Sequence, residues 1–178
     1  MYGIGTHLIT CQAQPALGCV FKLTEINNKP RIKLSNEAAK VTIPGRKNVY
    51  RLFGKDGSPI LDYMTRSNEP APEVGKRVLC RHPFYETKRV YVVPAAVSDL
   101  YEVVWDGTLA AVDHVARDGD AKAVIDQARE HLKEQMSTIR EDHVRSLNPT
   151  PYKVSVSEEL YDFLHSLMER EAPIKEIS

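Results

Sequence analysis

Asn48-Val49-Tyr50-Arg51-Leu52-Phe53, then Lys55-Asp56-Gly57-Ser58, then Pro59-Ile60-Leu61-Asp62-Tyr63-Met64: this stretch decides the fold. Two runs rich in β-branched and aromatic residues flank an Asp-Gly pair, which supplies the φ > 0 positions that tight hairpin turns need. The expectation is a β-hairpin. Upstream, Val20-Phe21-Lys22-Leu23-Thr24-Glu25-Ile26 alternates roughly between apolar and polar, Asn27-Asn28-Lys29-Pro30 has turn chemistry, and Arg31-Ile32-Lys33-Leu34 alternates again. This predicts a second hairpin, with Lys22 and Lys33 pointing to solvent. Residues 35–40 read as a turn, and Pro44-Gly45 is a further turn signal.

Downstream, residues 67–75 hold Pro70, Pro72 and Gly75 and form a loop. Lys76-Arg77-Val78-Leu79-Cys80 and Lys88-Arg89-Val90-Tyr91-Val92-Val93 predict a third strand pair around His82-Pro83-Phe84-Tyr85. Residues 101–105 fit either one more strand or the start of a helix. The first hundred residues thus predict a small antiparallel sheet or barrel.

After Asp106-Gly107 the period becomes helical. Asp120 is a candidate N-cap, and Val124, Ile125, Ala128, Leu132, Met136 and Ile139 mark one face. Asn148-Pro149 ends that region, and Pro151-Tyr152-Lys153-Val154-Ser155-Val156 fits a short strand. Ser157-Glu158-Glu159 then opens a last helix carrying Leu160, Phe163, Leu164 and Leu167. The expected class is α+β, with a β-rich domain over residues 18–106 and a helical region over 107–178.

Composition is that of an ordinary globular chain: 178 residues, 42% hydrophobic, 27% charged and a formal net charge of zero. The neutral total hides an asymmetry. Residues 1–100 hold 15 Lys/Arg against 8 Asp/Glu, net +7, whereas residues 101–178 hold 9 against 16, net −7. The first half is the better host for a phosphate-rich ligand, and the second reads as a solvated acidic face. No apolar run approaches the ~20 residues of a membrane span. Cys11, Cys19 and Cys80 form no CxxC pair, and an odd thiol suits a reducing cytosol.

The stretch with most chemical promise is Met1-Tyr2-Gly3-Ile4-Gly5-Thr6-His7. Two glycines one residue apart, followed by a hydroxyl, can aim backbone N–H groups and one side-chain donor at an anion. Taken alone, the same pattern also suits a plain turn at a strand end. It runs into Pro15-Ala16-Leu17-Gly18-Cys19-Val20-Phe21-Lys22-Leu23, then Lys33-Leu34-Ser35, Lys40 and Pro44-Gly45-Arg46-Lys47-Asn48-Val49-Tyr50-Arg51. In that order, these segments resemble the C-terminal third of nicotinate phosphoribosyltransferase, with a lean towards the animal enzymes, and the likeness extends through Leu160 and Leu164.

The resemblance implies an enzyme that joins nicotinate to the ribosyl group of phosphoribosyl pyrophosphate, feeding NAD synthesis, with ATP hydrolysis coupled to it and Mg²⁺ on the phosphates. It implies a homodimer of distorted α/β barrels with a flanking β-rich domain. On this reading Gly3, Gly5 and Thr6 hold phosphate of the phosphoribosyl substrate, and residues 1–17 are a severed piece of the barrel. The family's phosphorylated histidine and its nicotinate-clamping arginine lie upstream of the matching region. No catalytic residue is therefore assigned, and turnover by this chain alone is not expected.

Other constellations are weaker. Lys76, Arg77, Arg81, His82, Lys88 and Arg89 with Phe84, Tyr85 and Tyr91 form a basic-aromatic strip. It suits a nucleic-acid backbone in principle and a solvated strand pair more simply, so no nucleic-acid partner is expected. His131 and Glu134 can meet on a helix, but two ligands do not make a zinc site. Cys11 reads as a small buried hydrophobe. The reading from another class is a non-catalytic interaction module that binds a partner chain.

Overall fold

The Asp56-Gly57 hairpin is the centre of the sheet. Strands β3 (Lys47–Phe53) and β4 (Pro59–Arg66) pair antiparallel, with Tyr50 opposite Tyr63 and Leu52 opposite Leu61. Gly57 takes φ +79°, and the Asp56 carboxylate accepts the Ser58 N–H at 3.1 Å and the Ser58 hydroxyl at 2.8 Å. The turn is thus locked by its own side chains. The computed structural model describes residue 13 and residues 21–37, 40–103, 107 and 121–172. The expected barrel piece over 1–17 therefore lies, apart from Ala13, outside the described residues.

The third expected pair is present as β5 (Val78–Arg81) and β6 (Arg89–Val92), with Cys80 opposite Val90. Strand β7 runs over Ala96–Asp99 on the far side of β3, ahead of the stretch where one more strand was an option. Its end has a local cause. The Leu100 N–H donates to the Val49 carbonyl at 2.8 Å, and Asp99 Oδ1 then captures the Tyr101 N–H at 2.8 Å and turns the chain away. Residues 101–103 have no regular structure, and 104–106 lie outside the described residues.

One ladder departs from the expected all-antiparallel sheet. Strand β8 (Val154–Val156) arrives from far along the chain and enters between β5 and β4. It pairs parallel with β4, Tyr63 opposite Ser155, and antiparallel with β5 through Arg81 and Val156. The six-stranded order is β6-β5-β8-β4-β3-β7. Strands β6 and β7 stand at opposite ends of this order, yet only residues 93–95 join them. A flat sheet would separate its outer strands by about 24 Å. Four Cα steps reach at most about 14 Å. The sheet must therefore curl towards a barrel. Tyr50, Leu52, Leu61, Tyr63, Cys80 and Val92 fill its interior, with Val78 and Val97 packed against them.

Outside the sheet lies the last helix, Glu158–Glu171, which buries Leu160, Leu164 and Leu167 against β4 and β5. Ser157 caps it by accepting the Leu160 N–H at 3.0 Å, and Glu158 and Glu159 favour the positive end of its dipole. Ser157 also donates to Glu69 at 2.8 Å, which ties the cap to the end of β4. The long helix Ala121–Thr138 behaves differently. Its expected apolar stripe is exposed at Ile125, Leu132 and Met136.

The first hairpin is shorter than expected. Strands β1 (Glu25–Ile26) and β2 (Lys29–Pro30) flank Asn27 and Asn28, both at positive φ. Beyond Arg31 the ladder stops, because a returning segment takes its bonding groups. The Thr42 N–H goes to the Lys33 carbonyl, and the Gly45 N–H to the Thr24 carbonyl. Lys47 pins this segment, donating to the Ile43 carbonyl at 2.7 Å and the Gly45 carbonyl at 2.6 Å. Burial lowers its ammonium to about 8, with Glu25 opposing.

Two predictions follow from this packing. Leu164→Ala should cost about 2–5 kcal/mol in urea unfolding, because Leu164 is fully buried, whereas Leu132→Ala should stay within about 0.5 kcal/mol. Equal costs would contradict the exposed placement of the long helix. The second concerns pH. Below about pH 8 Lys47 is charged in both states; between about 8 and 10.5 the unfolded chain holds the extra proton, so stability rises with pH. Unfolding curves at pH 7.5 and 9.5 should show that gain in the native chain and lose it in Lys47→Met.

Candidate functional site

Gly3, Gly5 and Thr6 lie outside the described residues, as does Cys11. The described segment closest to them in sequence carries a cationic face. Arg31 and Lys33, just after β2, come together with Lys22 around a depression of about 460 Å³, floored by Phe21, Leu23 and Thr42. Among the described residues no carboxylate lines it. Sequence reading placed Lys22 and Lys33 in solvent, which holds, but did not bring Arg31 beside them. The ladder pairs only Glu25 with Pro30 and Ile26 with Lys29, and residues 21–23 and 31–33 then line one depression without pairing. Lysine and arginine on a partly apolar bowl suit an anion.

A second constellation crosses the sheet. Arg51 grips Asp62 in two parallel bonds, Nε to Oδ1 at 2.8 Å and Nη2 to Oδ2 at 3.0 Å. The Tyr152 hydroxyl donates to Asp62 Oδ1 at 3.0 Å, and the Asp62 N–H donates to the Lys153 carbonyl at 3.0 Å. Burial first, and then the Asp62 charge, push the Tyr152 phenol up to about 12. Asp62 raises Arg51 above the ordinary guanidinium range through its hydrogen bond. Both shifts move Arg51 and Tyr152 away from neutral pH. Their work is to fasten the approach to β8, not to move protons. Tyr152 and Asp62 are 90 residues apart, and no local pattern announces the contact.

The basic-aromatic strip does not survive as one face. Lys76 pairs with Glu73, and the Arg77 guanidinium lies 4.3 Å from the Tyr91 ring centre. Arg81 is buried beneath the last helix, 3.7 Å from the Tyr161 ring centre and 3.5 Å from Glu158. His82 holds its loop: its Nδ1 accepts the N–H groups of Phe84 at 3.1 Å and Tyr85 at 3.2 Å. That requires a neutral ring, and burial followed by Lys88 lowers its basicity. Cys80 sits in the barrel, and burial pushes its thiol up to about 12, so it is no nucleophile near neutral pH. His131 and Glu134 are both exposed. Among the described residues no three His, Cys, Asp or Glu gather as a metal ligand set, and no helix is long and apolar enough to cross a membrane.

Comparison with known proteins places this geometry. The family profile described as the nicotinate phosphoribosyltransferase C-terminal domain matches residues 46–164. Nicotinate phosphoribosyltransferase 1 of Arabidopsis thaliana is 54% identical over 99% of this chain, and the Homo sapiens enzyme is 32% identical over 96%. The higher plant identity runs against the expected lean towards animal enzymes. In each case the chain spans about 30% of the relative's length. The crystal structure of human nicotinic acid phosphoribosyltransferase superposes with a TM-score of 0.62 at 26% identity, covering 86% of this chain and 27% of that one. The curled sheet with its inserted strand and capping helix is thus the C-terminal domain of this family, and the chain belongs to the nicotinate phosphoribosyltransferases.

Proposed function

We propose that this chain is the part of a nicotinate phosphoribosyltransferase that carries the phosphate end of the substrate site. The whole enzyme transfers the phosphoribosyl group of phosphoribosyl pyrophosphate to nicotinate, releasing pyrophosphate, with ATP hydrolysis coupled to the step. The family match over residues 46–164 carries the assignment to this enzyme, and the resemblance of residues 3–6 suggests the phosphate end.

Within it, Gly3 and Gly5 offer backbone N–H groups and Thr6 offers a hydroxyl to a phosphate that must be held rather than attacked. The cationic depression of Lys22, Arg31 and Lys33 supports the same end of the reaction, because its charges favour polyanions. Mg²⁺ enters with ATP and phosphoribosyl pyrophosphate in the complete enzyme. The described residues offer no ligand set for an ion of the domain's own. The complete enzyme works as a homodimer in the cytosol. This chain assigns no group to the nicotinate clamp or to a phosphorylated histidine, so the 178 residues alone do not turn over.

The test is Thr→Ala at the position of Thr6 in a complete relative. Loss of one hydrogen bond to a charged group costs about 1.5–3 kcal/mol. The KM for phosphoribosyl pyrophosphate should therefore rise by about 10- to 150-fold, with the KM for nicotinate nearly unchanged. Unchanged values for both substrates, with kcat also unchanged, would leave the turn without a part in phosphate binding.

A further inference from the structure

A groove of about 740 Å³ opens beside the barrel, between the 82–88 loop and the segment leading into β8. Among the described residues it shares none with the cationic depression, and it is proposed as a site separate from the phosphate turn. Cys80, Val90 and Ser155 form part of its lining, and Phe84, Tyr85 and Tyr152 supply aromatic rings. Lys88, Arg89 and Lys153 bring three cations, and among the described residues no carboxylate lines it. None of the three forms an ion pair with a described residue. Glu86 is in the loop but not in the lining, and Asp62, which meets Tyr152, is already neutralised by Arg51.

Both walls are fixed before any ligand arrives. On one side His82 gathers two backbone N–H groups, its own N–H donates to the Lys88 carbonyl at 2.8 Å, and His165 donates to the Pro83 carbonyl at 3.0 Å. On the other, His143 Nδ1 donates to the Thr150 carbonyl at 2.6 Å, and the Thr150 N–H donates to the Asp142 carbonyl at 2.7 Å. A preformed, mostly apolar groove with a few charged groups is what small-molecule sites look like, and its volume falls in their usual range. Rigid walls also spare the cost of ordering them on binding.

We propose that this groove binds a nucleoside phosphate: a planar heterocycle against the aromatic side chains, with its phosphate held by Arg89, Lys88 and Lys153. The rings provide stacking surface, and cations without acidic neighbours select an anion. Neither half of the ligand suffices. A bare phosphate leaves the apolar lining wet, and a neutral nucleoside leaves the cations unanswered.

The test titrates the purified 178-residue chain at low salt with AMP, adenosine, inorganic phosphate and an oligoglutamate peptide, by calorimetry and by amide chemical shifts. AMP should bind saturably, at least tenfold tighter than adenosine or phosphate, and shift amides within residues 82–90 and 150–155. Arg89→Gln with Lys153→Gln should weaken AMP at least tenfold at an unchanged melting temperature, because both side chains are exposed. Lys153→Gln alone gives a milder reading of the same effect. Lys133→Gln, on the long helix and paired with Glu130, should change nothing. Absent AMP binding, equal binding of AMP and phosphate, undiminished affinity in the double variant, or shifts confined to residues 21–42 would each overturn the proposal. So would tighter binding of the oligoglutamate, which would make the groove a surface for acidic peptides.

Discussion

Three residues hold the domain together. Strands β5 and β4 are not hydrogen-bonded to each other; Val154–Val156 stands between them and is paired with both. Remove it and two interior edges lose their partners, in a sheet whose only other closure is the 93–95 link. The insertion is over-determined. Asp62 fastens the chain on the near side through Tyr152 and the Lys153 carbonyl, and on the far side the Ser157 N–H reaches the Met64 carbonyl at 2.9 Å. Val156 is fully buried, and the helix that follows is capped one residue later. Sheet and helix therefore form one cooperative unit rather than two.

That unity extends to the segment just before β3. Lys47 donates to the Ile43 and Gly45 carbonyls, and Glu25 accepts the Arg46 N–H at 2.9 Å, so residues 43–46 are fastened where β3 begins. Gly45 adds a steric constraint. Its φ is +79°, and a Cβ there would lie 3.4 Å from the Phe163 ring, so the turn and the last helix are fitted to each other.

Turn and cap chemistry were legible in the sequence because they act over a few residues. Asp56-Gly57, Asn27-Asn28 and Ser157 all perform where their residue types predicted. What could not be read was pairing at long range. Alternation in residues 154–156 announces a strand but not its neighbours, so the parallel ladder with β4 came only from the structure. Arg81 looked like a solvated strand cation, yet its register against Val156 places it beneath the helix. The stripe Ile125, Leu132 and Met136 correctly predicted a helix, but periodicity says nothing of what covers it. As for the site, the family was legible from ordered segments, whereas the Arg31 bowl and the 740 Å³ groove depend on contacts between distant segments.

The central claim is that β8 is the keystone of the fold, and residue-resolved amide exchange on Val156→Asp tests it most directly. A charge at this fully buried position should expel the strand. Protection should then fall together across 59–66, 78–81 and 158–171. If only the helix at 158–171 lost protection while both strands kept theirs, the sheet would be closed without β8 and the account would be wrong.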